Sequence, residues 1–77
     1  MNDISKNRLS VDQLIGRRVR DLRTATNKLT DDVAAYARMS VVDYARAEKG
    51  ERGFRAIELF SVAKCLGIHM KDIISEI

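Results

Sequence analysis

The 77-residue chain contains no proline, one cysteine and one histidine. A lone cysteine forms no internal disulfide framework, and one Cys with one His falls short of the four ligands of a structural zinc site. No metal site and no cofactor is expected. The four glycines, Gly16, Gly50, Gly53 and Gly67, are scattered. None opens a strand-to-helix unit, so nucleotide-phosphate chemistry is unsupported. No apolar run approaches the ~18 residues of a membrane span, which excludes a membrane protein of that kind. The opening Met1-Asn2-Asp3-Ile4-Ser5-Lys6 lacks the apolar stretch of a secretory signal. A cytoplasmic location is the default that follows.

What remains is a chain 45% hydrophobic and 32% charged, a composition that folds rather than stays disordered. A domain of this size buries only ~60% of its unfolded surface and cannot share that core between two modules. The net charge of +3 permits a polyanionic partner without demanding one. Its distribution says more. Residues 17–23 carry four arginines against Asp21, and residues 43–55 carry Arg46, Lys49, Arg52 and Arg55 against Asp43, Glu48 and Glu51. A charge cluster alone is ordinarily a solvated helix face.

Apolar residues recur at helical spacing and no period-two alternation is sustained, so the chain reads as all-α with five helices. Ser10 and Gln13 form a capping-box signature with Leu9 and Leu14 at staple positions, which starts a helix near Val11. It runs over about 11–26, and Asn27 suits the left-handed residue that ends it. Thr30 is the next N-cap, with Asp31 and Asp32 favouring the positive end of a helix over about 31–37. Ser40 and Asp43 repeat the capping box for a helix over 41–48, in which Asp43 is expected to bond back to the Ser40 amide. Two short helices joined by Arg38-Met39-Ser40 must cross steeply, which makes a helix-turn-helix. Further helices are expected over about 54–66, stopped by Gly67, and about 70–76, with His69 at the cap and Asp72 three residues on. Residues 1–10 form an N-terminal extension, and 11–77 the domain.

The ordered residues Ile15-Gly16-x-Arg18-Val19-Arg20-x-Leu22-Arg23, Val33-Ala34, Met39-Ser40, Glu48-x-Gly50-x-Arg52 and Leu59-x-x-Val62-Ala63-x-x-Leu66-Gly67-Ile68 resemble the phage-repressor type of helix-turn-helix family, the Cro/cI or XRE-like proteins. The resemblance covers Ile15 to Ile73. It implies a lambda-repressor-like bundle of five helices whose third enters the major groove of double-stranded DNA, commonly as a homodimer. It also implies a pair between Arg23 and Glu48 that would orient the third helix against the first.

By the same resemblance the base-reading positions are Val41, Val42, Asp43, Ala45 and Arg46. Valine and alanine offer only apolar contact, chiefly with thymine methyls, and Arg46 is the one strong donor. Thr30, Lys49, Arg52 and Arg55, with Arg17 or Lys28 as further candidates, are placed for phosphate contacts, which position a protein without reading sequence. Two departures stand out. Thr30 replaces the usual backbone-gripping glutamine, and Arg38 stands where the turn usually has glycine. Ile73, Ile74 and Ile77 exceed what a short terminal helix needs and are expected to form a dimer interface, the alternative being that they fold back on the N-terminal segment around Ile4 and Leu9.

Cys65 reads as a small packed hydrophobe, His69 as a cap, and Tyr36 and Tyr44 as packing residues. Catalysis is not expected, no small-molecule ligand is evident, and a chain this short leaves no room for a sensor domain. The function expected is a sequence-specific, dimeric, repressor-type regulator of transcription. The alternative is an antitoxin-like or other protein-interaction module on the same fold, with Val41 and Val42 facing a protein.

Overall fold

In the computed structural model, which describes residues 9–75, five helices and no strands are found: α1 (Val11–Ala25), α2 (Thr30–Tyr36), α3 (Val41–Glu48), α4 (Ala56–Leu66) and α5 (Met70–Ile74). The expected extension up to residue 8 and Ile77 lie outside the described residues. α1 and α2 end one residue earlier than expected and α5 ends at Ile74, while two helix starts differ for identifiable reasons. Leu29, not Thr30, occupies the cap of α2, so Thr30 is its first helical residue, and the first turn relies on Asp31 and Asp32 instead of a side-chain cap. α4 begins at Ala56 rather than 54, because the Glu58 carboxylate reaches back to the Arg55 amide at 2.8 Å.

α1 starts with both halves of its capping box, Gln13 N to Ser10 Oγ at 3.1 Å and Ser10 N to Gln13 Oε1 at 2.8 Å. Four helices end alike. The residue just past each last turn is left-handed: Asn27 at φ 59°, Arg38 at 58°, Gly50 at 76° and Gly67 at 71°. The following amide then closes back over the turn, from Lys28 to the Arg23 carbonyl at 3.1 Å, Met39 to Ala34 at 2.9 Å, Glu51 to Arg46 at 2.9 Å and Ile68 to Ala63 at 3.0 Å. This is the Schellman closure, and it satisfies carbonyls that the helix leaves unpaired. The turn of the helix-turn-helix is therefore made by an arginine in the conformation glycine favours.

The core holds Val19 from α1, Val33, Ala34 and Ala37 from α2 and its end, Met39 from the turn, Tyr44 and Ala47 from α3, Leu59, Val62, Ala63 and Leu66 from α4, and Ile73 from α5. Alanines at 34, 37 and 47 let the two short helices cross closely. α1 packs on α3, α4 and α5, while α2 packs on α3 and α4. α3 is thus wedged between α1 and α2, with its inner face fixed by Tyr44 and Ala47.

Candidate nucleic-acid interface

The rotation of α3 decides which residues it presents. Tyr44 and Ala47 are fully buried, so Val41, Val42 and Arg46 face outward, Ala45 is half-buried between them, and Lys49 follows at the exposed C-terminal end. These positions fall on one helical face, spaced three and four residues apart. Asp43 departs from the group. Ser40 Oγ accepts from the Asp43 amide at 3.0 Å, but the reciprocal bond expected from the Asp43 carboxylate to the Ser40 amide is not made. Asp43 is half-buried, and the Arg52 pKa is raised chiefly by hydrogen bonds to Glu58, with the Asp43 charge a smaller contribution.

Two clamps hold α3. Arg23 Nε donates to Glu48 Oε2 at 2.7 Å and Nη2 to Oε1 at 3.3 Å, while Nη1 donates to the Lys28 carbonyl at 3.0 Å. One guanidinium therefore ties the end of α1 to the end of α3 and to the loop entering α2. The side chains are only 16% and 9% exposed, and the carboxylate raises the Arg23 pKa further above its ordinary value. Beside this pair the Tyr44 hydroxyl is buried without a hydrogen-bond partner, and burial, with the neighbouring Glu48 carboxylate, pushes its pKa well up. The Tyr44 ring meets Phe54 edge-on, centroids 6.0 Å apart.

The second clamp is a close backbone approach. A Cβ on Gly16 would lie 2.5 Å from the Glu48 carbonyl oxygen and nearer still to that of Ala47. Only glycine lets α1 rest this tightly against the last turn of α3. Gly16 belongs to the family pattern, but a glycine inside a helix does not by itself reveal which backbone it lets approach.

The expected phosphate-contacting residues separate into two kinds. Lys49 and Arg55 are exposed, and Thr30 is half-buried with its hydroxyl 3.4 Å from Asp31 Oδ1. Arg52 requires a correction. Its Nη1 and Nη2 donate to Glu58 Oε1 and Oε2, each at 2.9 Å, and Nη1 also reaches the Gly53 carbonyl at 3.0 Å. A fork filled by a carboxylate that way is a structural staple between the loop and α4, not a free phosphate donor. The bond to Arg52, helped by the Arg55 amide, holds the Glu58 carboxyl below the usual carboxylate range. The sequence hid this pair because it joins a loop to a helix, where no regular side-chain spacing signals it.

The expected dimer residues also divide. Ile73 is 0% exposed and belongs to the chain's own core, so it is not part of a surface patch; a short helix needs that one residue to anchor it. Ile74 is exposed. Arg18, assigned no role from sequence, donates to the Asp72 carbonyl at 3.1 Å and the Ser75 carbonyl at 3.4 Å, which satisfies the end of α5. Cys65 is half-buried against the core, and the His69 amide donates to Asp72 Oδ2 at 3.0 Å. Arg20 pairs with Asp21 at 3.3 Å on the open surface.

No family model and no curated protein matches the chain in sequence. Solved structures do. The restriction-modification controller protein C.AhdI from Aeromonas hydrophila is 23% identical and superposes with a TM-score of 0.74 over 79% of this chain and 92% of its own. The clp gene regulator ClgR from Corynebacterium glutamicum is similar in two structures. One is 22% identical with a TM-score of 0.82 over 84% of this chain and 69% of that one. The other is 21% identical with a TM-score of 0.81 over 86% of each. The chain has their fold, all-α, with α2 and α3 as the helix-turn-helix.

Proposed function

We propose, with the Cro/cI-type fold as premise, that the protein is a sequence-specific DNA-binding regulator of transcription that lays the outer face of α3 in the major groove. The observation that carries this is the combination of a rigidly clamped helix and an outward face, Val41, Val42, Ala45 and Arg46, bordered by Lys49, with the exposed Glu51 carboxylate no nearer to the Arg46 Nε than 4.0 Å. Direct readout needs donors, acceptors or methyl-complementary surface on such a face, and this one supplies a guanidinium and two valines. Lys49, Arg55 and Thr30 are the backbone-positioning residues in this reading.

We read the protein as a cytoplasmic non-enzyme that acts as a homodimer. Exposed Ile74 supports a self-association surface, and a two-fold pair would set recognition helices ~34 Å apart on half-sites one DNA turn apart. We read its action as repressor-type, by occlusion of the DNA it covers. A second reading, an antitoxin-like or other protein-interaction module, is kept by exposed Tyr36 and Ile57, which flank a groove of about 400 Å³ between the end of α2 and the start of α4.

Titrating the protein into mixed-sequence duplex at about 50 and about 200 mM salt separates the two readings. A regulator binds at the lower salt and loses affinity steeply at the higher. An interaction module leaves the duplex free at both.

A further inference from the structure

Val42 is the most exposed apolar residue of α3, at 68%, and Arg46 lies one turn further along the same face with its side chain 52% exposed. The buried ring of Tyr44 and buried Ala47 on the opposite side stop the helix from rotating either residue inward. Ala45, between them, adds only a methyl, so a base edge can approach both. Arg46 is held on this chain only loosely: its Nε lies 4.0 Å from Glu51 Oε1, too far for a hydrogen bond, and both side chains are half-exposed.

We propose that Val42 and Arg46 act as one reading unit for a 5-methylpyrimidine next to a guanine, with the pyrimidine methyl against Val42 and the guanine edge gripped by Arg46. This rests on the DNA-binding reading above. A β-branched side chain has no donor or acceptor and little rotamer freedom, so it cannot repay a polar base edge for lost hydration. In the major groove the pyrimidine C5 methyl is the apolar feature it matches. Cytosine methylated at C5 shows the same group. Beside it the guanidinium has a bidentate partner in guanine O6 and N7. The surrounding Arg46 and Lys49 charges commit the face to a polyanion rather than to an apolar protein surface. Spacing restricts the step: residues four apart rise about 6 Å along the helix, more than the roughly 3.4 Å between successive base pairs, so the two side chains meet different base pairs, adjacent ones where they converge.

The test uses methyl-only changes. Half-sites are first selected from a random duplex pool with the full chain, and then the pyrimidine beside the guanine is made thymine, deoxyuridine, cytosine or 5-methylcytosine. Thymine should bind roughly fourfold tighter per half-site than deoxyuridine, because one methyl buried is worth ~0.8 kcal/mol and 1.4 kcal/mol is tenfold. The 5-methylcytosine duplex should exceed the cytosine duplex by a similar factor. Val42→Ala should collapse both ratios toward one while the guanine preference stays, and Arg46→Ala should do the reverse. Both residues are exposed, so both variants keep the fold. Selected sites without a pyrimidine–guanine step, equal binding of thymine and deoxyuridine, or an undiminished methyl ratio in Val42→Ala overturns the proposal and leaves DNA binding standing. Failure to select any duplex at low salt overturns the DNA-binding reading and the proposal with it.

Discussion

Arg23 and Glu48, 25 residues apart in the chain, meet in a two-pronged contact of 2.7 and 3.3 Å that joins the C-terminal end of α1 to that of α3. A third donor of the same guanidinium holds the Lys28 carbonyl, so the contact sets the placement of both helices of the helix-turn-helix. Removing either partner leaves the other charged and largely out of water, a worse state than having neither.

Arg23→Ala and Glu48→Ala are therefore each expected to cost about 2–4 kcal/mol, between the values for exposed and fully buried pairs. Arg17→Ala, on the open face of α1, should stay within about 0.5 kcal/mol. Thermal or denaturant unfolding of the three variants measures this, and equal small effects would show that the pair contributes no more than a surface contact.

Gly16→Ala is expected to destabilise by about 1–3 kcal/mol, although alanine is ordinarily the better helix former by about 1 kcal/mol. The new methyl meets the backbone carbonyls of Ala47 and Glu48, which cannot swing aside as a side chain would. Denaturant unfolding should show a lower midpoint with unchanged slope. A gain in stability would mean that α1 and α3 are not in contact here.

Arg38→Gly should stabilise the fold by about 1 kcal/mol. The arginine sits at φ 58°, where a Cβ costs roughly 1–2 kcal/mol that glycine avoids, less the entropy glycine loses on folding. A rise of several degrees in Tm is the expected readout for a domain this small. An unchanged or lower Tm would indicate that the Arg38 side chain contributes contacts that offset its backbone.

The Arg52–Glu58 staple predicts how stability depends on acid. Hydrogen bonds from Arg52 hold the Glu58 pKa below its unfolded value of 4.5, so the folded state binds this proton less readily than the unfolded state. The contribution is complete above that unfolded value and is lost as pH falls through the lowered folded one. Glu58→Gln should be less stable than the parent at neutral pH, with the gap closing below about pH 4. A gap that is constant from pH 7 to strongly acidic conditions would show that the carboxylate charge is not what the loop uses.

Much of this arrangement was legible because its signals are local. Ser10 with Gln13, Asn27 and Gly67 mark helix ends by short-range chemistry that is fixed before tertiary packing, and the crossing of α2 and α3 follows from having so few residues between them. Arg23 with Glu48 was reached through the resemblance, since nothing local links residues that far apart. The misplacements share a cause. Arg52 read as a free cation because its partner Glu58 lies across a loop, and Ile73 read as surplus because a single terminal helix does not reveal which of two adjacent isoleucines turns inward. Asp43 has the right spacing for a reciprocal cap, yet only the half in which Ser40 accepts from the Asp43 amide is formed.

The central claim, that the outer face of α3 is the surface that meets DNA, is tested most directly by following backbone amide and valine methyl NMR signals while a duplex is added. Perturbations centred on Val41, Val42, Ala45, Arg46 and Lys49, with smaller ones at Thr30 and Arg55, are the predicted result. Perturbations confined to Tyr36 and Ile57, or none anywhere at low salt, would contradict it.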